Sequence, residues 1–234
     1  MSEKKTGKYF KYAIGEIILV VIGILIALSI NNWNEDRKIE NSKQVLIASL
    51  IEDFEYTSVD INNDELPYLK SLLDNIKKFQ ELTKSKSQLV SVDSLRVLAI
   101  AYSRVNYFNP NLTTYNEAVS SGKIGLLKNK ELMNQFSRLM QYQKVYNRAE
   151  DQSISSYYNG AFWELRKTIE PELLYGNTKS NVTYEDYQKM INSKLTVATF
   201  KNHQSLNREM HNTLRKISEI IDKILELLKE LQKA

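Results

Sequence analysis

The feature that most constrains this chain is an apolar run over residues 13–30, AIGEIILVVIGILIALSI, which carries one charge, on Glu16. A helix rises about 1.5 Å per residue, so this run would be roughly 27 Å long, close to the hydrocarbon thickness of a bilayer. The run therefore predicts a membrane-spanning helix that is retained in the mature protein. A cleaved signal peptide and a buried helix of a soluble protein are the alternatives.

The flanks of the run predict its orientation. Residues 1–12 contain four lysines against one acid, and lysine and arginine stay on the cytoplasmic side during insertion. We therefore expect residues 1–12 in the cytoplasm and an extracytoplasmic domain over residues 31–234. Aromatic residues near both ends, Tyr9, Tyr12 and Trp33, are expected to anchor the helix at the two membrane interfaces.

Three residues of the run share one helical face. Gly23 lies seven positions after Glu16, and Ala27 lies four positions after Gly23. A carboxylate inside a bilayer usually faces protein or water, and small residues allow two helices to approach closely. We interpret these three residues as a candidate helix–helix seam, with snorkelling of Glu16 to the interface as the alternative.

Composition and motifs argue against several classes of protein. The chain has no cysteine, so the predicted extracytoplasmic domain depends on its hydrophobic core rather than on disulfides. Net charge is +4 without a basic block, so nucleic acid is not an expected partner. The two histidines, His203 and His211, are too far apart to share one metal ion, so neither a metal nor another cofactor is expected. We expect no enzymatic activity, because the phosphate-loop, G-x-S-x-G and H-E-x-x-H motifs are missing.

The remainder of the chain predicts an all-α fold, a helical bundle carried by the membrane helix. A helix from Trp33 should continue the membrane helix as a stalk, break at Asn62, and be followed by a helix that Pro67 opens. Polar turns are expected at residues 83–88 and 173–183. Local capping signals set further helix boundaries at Gly122, Asn129 and Thr183.

A C-terminal helix, predicted over residues 203–232, has the most regular pattern in the domain. Seven apolar residues follow alternating spacings of four and three, which is typical of a heptad seam. The seam would pack either against the stalk of the same chain or against another chain as a coiled coil. Its residues are Met210, Leu214, Ile217, Ile221, Ile224, Leu228 and Leu231.

An aromatic cluster in the domain is a candidate ligand pocket, with ordinary core packing as the simpler interpretation. Its members are Tyr157, Tyr158, Phe162 and Trp163. A ligand site would otherwise be sought near three further tyrosines, Tyr102, Tyr107 and Tyr115.

Two stretches of the sequence resemble a known family. The first is YAIGEIILVVIGILIAL over residues 12–28, followed by NNWNE over residues 31–35. The second, over residues 115–132, has the pattern Tyr…Ser-Gly-x-x-x-Leu-x-x-Asn-x-x-Leu. Together they resemble a family of uncharacterised bacterial single-span membrane proteins, a domain of unknown function. The resemblance implies a retained anchor of which Glu16 is a regular part, and it offers no catalytic residue.

Two functions are expected from these features. The first is a non-enzymatic, membrane-anchored interaction or scaffold protein that self-associates or braces a membrane complex. Its partners would be the lipid bilayer and a second copy or another membrane protein. The second is a periplasmic ligand-sensing helical module, which would need a partner to signal because only residues 1–12 are expected inside. Both functions assume the bacterial inner membrane, with the C-terminal domain in the periplasm.

Overall fold

The computed structural model describes residues 3–84, 90–175 and 181–233, with side chains from residue 14 onward. Within these residues the chain is helical and has no strand, which confirms the predicted all-α class. Two short 3₁₀ turns, Ile100–Ser103 and Lys123–Leu127, follow α3 and α4. The α-helices are α1 Glu3–Asp60, α2 Leu66–Lys84, α3 Val92–Ala99, α4 Thr113–Ser120, α5 Lys130–Asn159, α6 Ala161–Arg166, α7 Glu172–Tyr175, α8 Tyr184–Asn192 and α9 Lys194–Lys233.

The predicted helix break at Asn62 is wrong, because α1 passes directly into α2. A single π-helical turn, Ile61–Glu65, joins them, and its wider hydrogen bond runs from the Leu66 N–H to the Ile61 carbonyl. Pro67 follows this turn instead of opening a separate helix. A proline in a regular helix lacks an N–H and clashes with the carbonyl four residues earlier, and the wider turn relieves that conflict. One helix therefore runs unbroken from the apolar run into the bundle.

The C-terminal helix α9 runs antiparallel to this long helix. Lys229 Nζ lies 2.6 Å from Glu55 Oε1 near one end of the pairing, and Gln80 Nε2 donates to Gln204 Oε1 at 3.2 Å near the other. The helix starts at Lys194 rather than at residue 203, so it is longer than predicted. Its C-terminal end thus points back towards the apolar run.

Helix α5 completes the centre of the bundle. It packs most extensively against α9, and its Phe136 ring stacks on Phe54 of α1 with the ring centroids 5.9 Å apart. The side chains of Phe162, just beyond α5, and His203 of α9 meet at the opposite end, with ring centroids 6.2 Å apart. The core therefore lies between α9 and two helical partners, α5 and the joined α1–α2.

The three predicted helix boundaries at Gly122, Asn129 and Thr183 are confirmed. Gly122 has a φ of +74°, in the left-handed region that glycine tolerates after a helix end. The Asn129 side chain accepts a hydrogen bond from the Leu132 N–H at 2.9 Å. Thr183 and Asp186 form a reciprocal capping box at the start of α8.

The two predicted turns are shorter than expected where the structure describes them. Thr83 and Lys84 belong to α2, and the start of the second turn is taken up by α7. Residues 181–183 have no regular secondary structure, as predicted, and residues 85–88 and 176–180 lie outside the described residues.

The stalk separates the apolar run from the bundle. Residues 31–42 are exposed, and among them the apolar residue Ile39 is 48% exposed. Beyond the run, the first buried residue of α1 is Leu46, sixteen positions after Ile30. At about 1.5 Å per residue, the bundle begins roughly 24 Å from the end of the run.

Candidate functional site

The predicted seam lies on a part of α1 that touches no other part of the described chain. Glu16, Gly23 and Ala27 are exposed, and a Cβ added at Gly23 would meet nothing within 4 Å. The three positions fall within about 40° of the helix circumference. The described helix Ile14–Lys84 is long and apolar enough at its N-terminal end to span a membrane. This face is therefore free to contact lipid or a second helix.

Of the predicted interface anchors, the structure describes the side chain of Trp33. It is 64% exposed, and the Arg37 guanidinium lies 5.9 Å from the centre of its ring. Tyr9 and Tyr12 lie outside the residues whose side chains are described. Trp33 is thus available to an interface at the start of the stalk.

The heptad seam of α9 faces the interior of its own chain. Met210, Leu214 and Ile217 are fully buried, as are Ile221, Ile224 and Leu228, and Leu231 is half-buried against the same core. The helices that pack most extensively against α9 are α5, α1 and α2 of the same chain. These six residues therefore form part of the core of the bundle and are not available for contact with a second chain.

The predicted aromatic cluster divides between the core and the surface. Phe162 is buried, whereas Tyr158 and Trp163 are 52% and 44% exposed. Arg166 organises the exposed part, because its guanidinium carbon lies 4.3 Å from the Tyr157 ring centre and 4.9 Å from that of Trp163. These contacts are cation–π interactions of the kind that stabilise a surface locally.

A cavity of about 290 Å³ lies where the C-terminal end of α2 meets the N-terminal part of α9. Among the tyrosines singled out from the sequence, Tyr102 lines it. Tyr107 is exposed instead, and Tyr115 packs on Phe136. The lining residues are Phe79, Gln80, Thr83, Lys84, Tyr102, Ile191, Asn192, Thr196, Val197, Phe200, Lys201 and Gln204.

Beside this cavity, α9 buries a stripe of polar residues that the sequence analysis missed. Thr196, Thr199, His203 and Asn207 are at most 6% exposed. Each has a side-chain atom without a hydrogen-bond partner among the described residues. These atoms are the Oγ1 atoms of Thr196 and Thr199, His203 Nε2 and Asn207 Oδ1. Such atoms are costly to bury, so they mark a part of the core that is not optimised for stability alone.

His203 is the titratable member of this stripe. Burial lowers the pKa of its imidazole from 6.5 to about 4, and a hydrogen bond to the Ala101 carbonyl opposes this shift only in part. The ring is therefore neutral near pH 7, and its unpaired Nε2 is an acceptor. Among the residues that the structure describes, no group of three His, Asp or Glu side chains could hold a metal ion.

A second polar cluster fixes the extended strap of residues 104–112 to the bundle. Asn106 Nδ2 donates to Glu65 Oε2 at 2.9 Å, and the Phe108 N–H donates to Glu150 Oε1 at 2.8 Å. Burial raises the pKa values of both carboxyl groups. Nothing in the local sequence distinguishes Glu150 from an acid on a solvated helix face, because its partner, the Phe108 N–H, lies about forty residues earlier in the chain.

Comparison with models of protein families gives a match that covers most of the chain. Neither a curated protein nor a solved structure matches it. A family model matches residues 16–171, from Glu16 in the apolar run to the residue before α7. The matched part includes the stalk, α2 and α5, and the helices α8 and α9 lie beyond it. The chain therefore belongs to DUF6090, a family of unknown function.

Proposed function

We propose that this chain is a non-enzymatic, membrane-anchored interaction protein that associates through its membrane helix, with a second copy or with another membrane protein. The observation that carries the proposal is the exposed face of Glu16, Gly23 and Ala27. The heptad seam of α9 is already used inside the bundle, which leaves this face as the better candidate for contacts between chains.

The chemistry of that face supports association. A carboxylate within an apolar helix costs about 2.5–3.5 kcal/mol at the bilayer centre and less near an interface, so a polar partner on another helix would lower this cost. Gly23 and Ala27 lack bulky side chains, and helices that meet at small residues gain close van der Waals packing. Glu16 near the first boundary and the two small residues deeper inside would together align a helix pair.

The stalk supports a scaffolding role for the rest of the chain. Its exposed residues 31–42 hold the bundle roughly 24 Å from the apolar run. The unbroken helix from the run into α2 makes this spacing rigid, because no loop interrupts it. A bundle held at a fixed distance is suited to contacting other proteins beside the membrane.

Substitution of Glu16 tests the seam. In Glu16→Leu, the fraction of cross-linked oligomer, or of a membrane protein that co-purifies in mild detergent, is expected to fall about three- to tenfold. This range corresponds to the loss of one interhelical polar contact of roughly 0.6–1.5 kcal/mol. Ser29→Leu is the matched control, because it also replaces a polar residue by leucine but lies about 140° away around the helix. Association that is unchanged in Glu16→Leu would rule out the seam.

For location, we propose the bacterial inner membrane, with residues 1–12 in the cytoplasm and the bundle in the periplasm. The lysines before the apolar run support this orientation. A bundle with no cysteine is also compatible with an oxidising compartment.

Single cysteines can test the orientation, since the chain has none of its own. Ser42→Cys, on the exposed stalk, should react with a membrane-impermeant maleimide in spheroplasts. Ser2→Cys should react only after the membrane is opened. Labelling in the reverse pattern would contradict the proposed orientation.

A ligand-sensing role is the second candidate, and the cavity between α2 and α9 favours it. The residues Phe79, Gln80, Thr83 and Lys84 line the cavity and belong to the helix that continues into the apolar run. A ligand that changed the packing of α2 on α9 would therefore act on the same rigid helix that carries Glu16. A partner would have to receive the signal on the other side of the membrane.

A further inference from the structure

We infer that the cavity between α2 and α9 binds a small carboxylate with an aromatic or branched apolar body. The inference deepens the ligand-sensing function proposed above and rests on it. The size of the cavity, its aromatic wall, an unpaired buried hydroxyl and the charge at its mouth each favour this class of ligand.

The volume of the cavity fits a compact ligand. Its roughly 290 Å³ is about twice the 150 Å³ in which a benzene molecule fits, and lies near the lower end of the usual range for ligand pockets. The cavity therefore has room for one ring with a short substituent. A nucleotide would be too large for it.

One wall of the cavity is aromatic. The Phe200 ring stacks on Tyr102 with centroids 3.7 Å apart, and Phe79 meets Tyr102 edge-on at 5.7 Å. Ile191 and Val197 add aliphatic surface. Such a wall favours a flat or branched apolar group, which gains dispersion contacts and offset ring packing while leaving water.

A buried hydroxyl supplies a polar contact for the other end of the ligand. Thr196 lines the cavity and is fully buried, and its Oγ1 has no hydrogen-bond partner among the described residues. It lies in the first turn of α9, which begins at Lys194 and where the helix dipole is positive. A carboxylate oxygen could accept a hydrogen bond from this hydroxyl in a field that favours negative charge.

The charge of the lining residues selects an anion. Lys84 and Lys201 are exposed, and neither forms an ion pair with another part of the chain that the structure describes. The twelve described lining residues include no aspartate or glutamate, so the lining carries two positive charges. Gln80 and Gln204, which are hydrogen-bonded to each other at 3.2 Å, provide neutral amides beside them.

The test uses the full chain in nanodiscs and two fluorinated probes followed by ¹⁹F NMR. We expect 4-fluorobenzoate to bind about tenfold more tightly than 4-fluorobenzyl alcohol, which has the same ring without the charge. In the double variant Lys84→Gln/Lys201→Gln, the affinity for 4-fluorobenzoate should fall about tenfold. The affinity for the alcohol should stay the same, because it does not use the charge.

A pair of valine substitutions locates the binding. Val197→Trp would fill the cavity and should abolish binding of 4-fluorobenzoate. Val145→Trp is the matched control, because Val145 on α5 is 36% exposed against 38% for Val197 and does not line this cavity. Equal loss of binding in both variants would show that the probe binds elsewhere or responds to general disruption.

The other outcomes separate this inference from the function on which it rests. If the alcohol binds as tightly as 4-fluorobenzoate, the carboxylate class is wrong and the cavity still serves as a ligand site. If neither probe binds at millimolar concentration, the inference is overturned. If 4-fluorobenzoate binds as expected but leaves cross-linking through the membrane helix unchanged, the inference stands and the sensing function fails.

Discussion

Replacement of Ile221 by alanine is expected to lower the free energy of unfolding by about 2–4 kcal/mol, the range for truncating a fully buried aliphatic side chain. Ile221 is 0% exposed in the middle of the α9 seam, between α5 and the joined α1–α2. The lost methyl groups would leave a cavity that three packed helices cannot readily close. Urea unfolding of the full chain in detergent, followed by circular dichroism, would measure this loss.

Ile39→Ala provides the matched control. Ile39 is 48% exposed on the stalk, so its truncation should change the free energy of unfolding by less than about 0.5 kcal/mol. In the Glu16→Leu background, which removes the proposed association through the membrane helix, the unfolding midpoint should also be independent of protein concentration, because the α9 seam is satisfied within one chain. A midpoint that rises with concentration would mean that α9 pairs between chains.

Acidification is expected to destabilise the bundle through His203. The pKa of His203 is about 4 in the folded chain, below the ordinary 6.5. Between these two pH values the unfolded chain therefore binds a proton at this residue and the folded chain does not. Its contribution to stability is therefore complete above pH 6.5 and is lost as the pH falls towards 4. The loss at pH 4 amounts to about 3 kcal/mol, since each pKa unit corresponds to about 1.4 kcal/mol.

His203→Gln should flatten this pH dependence, and His211→Gln should leave it unchanged. Gln keeps a neutral polar group at the site, and His211 is a half-exposed histidine on the same helix. The measurement is the difference in unfolding free energy between pH 7 and pH 4 for each variant. Identical pH profiles for His203→Gln and the parent chain would exclude the buried imidazole as the cause.

Two carboxyl groups have the opposite effect on the pH dependence of the unfolding free energy. The effect of His203 is therefore measured as a difference between variants and not from the pH profile of one protein. Burial raises the pKa values of Glu65 and Glu150, so they favour the folded state at low pH and lose that contribution as the pH rises through their folded values. Both groups are half-buried, and solvent screening keeps their effect below that of His203. They are present in every variant and cancel in the difference.

Features that depend on neighbours in sequence could be predicted. Asn129 and Thr183 cap helices through hydrogen bonds to residues three positions later, so the local pattern contains both partners. The heptad spacing of α9 likewise identified Ile221 as an interior position, because one helical face must be buried somewhere. The pattern left open whether the partner helix belongs to the same chain.

The junction at Asn62 shows where local signals are overridden. Asn62 followed by Pro67 favours a break, since asparagine favours turns and proline favours a helix start. In the folded chain, α9 packs across the junction and Ser218 donates to Asn62 Oδ1 at 3.1 Å. Packing of both helices on α9 stabilises a continuous π turn that neither residue specifies alone.

The cavity could not be located from the sequence, although a trace of it is visible there. Thr196, His203 and Asn207 continue the three-to-four spacing of the apolar seam with polar residues. The apolar heptad pattern begins only at Met210, because the positions before it on the same face are polar. The predicted helix start at residue 203 is therefore later than the observed start at Lys194. The opposite wall comes from α2 and from Tyr102, about a hundred residues earlier in the chain.

The sequence by itself determined the apolar run of residues 13–30, the all-helical class and the shared face of Glu16, Gly23 and Ala27. Each of these follows from composition or from spacing along one helix. The tertiary structure alone decided that the α9 seam closes within its own chain, that α1 and α2 are one helix, and that a cavity lies between α2 and α9. These depend on which distant segments meet, because the free energy of burial is set by the partner surface as well as by the residue buried.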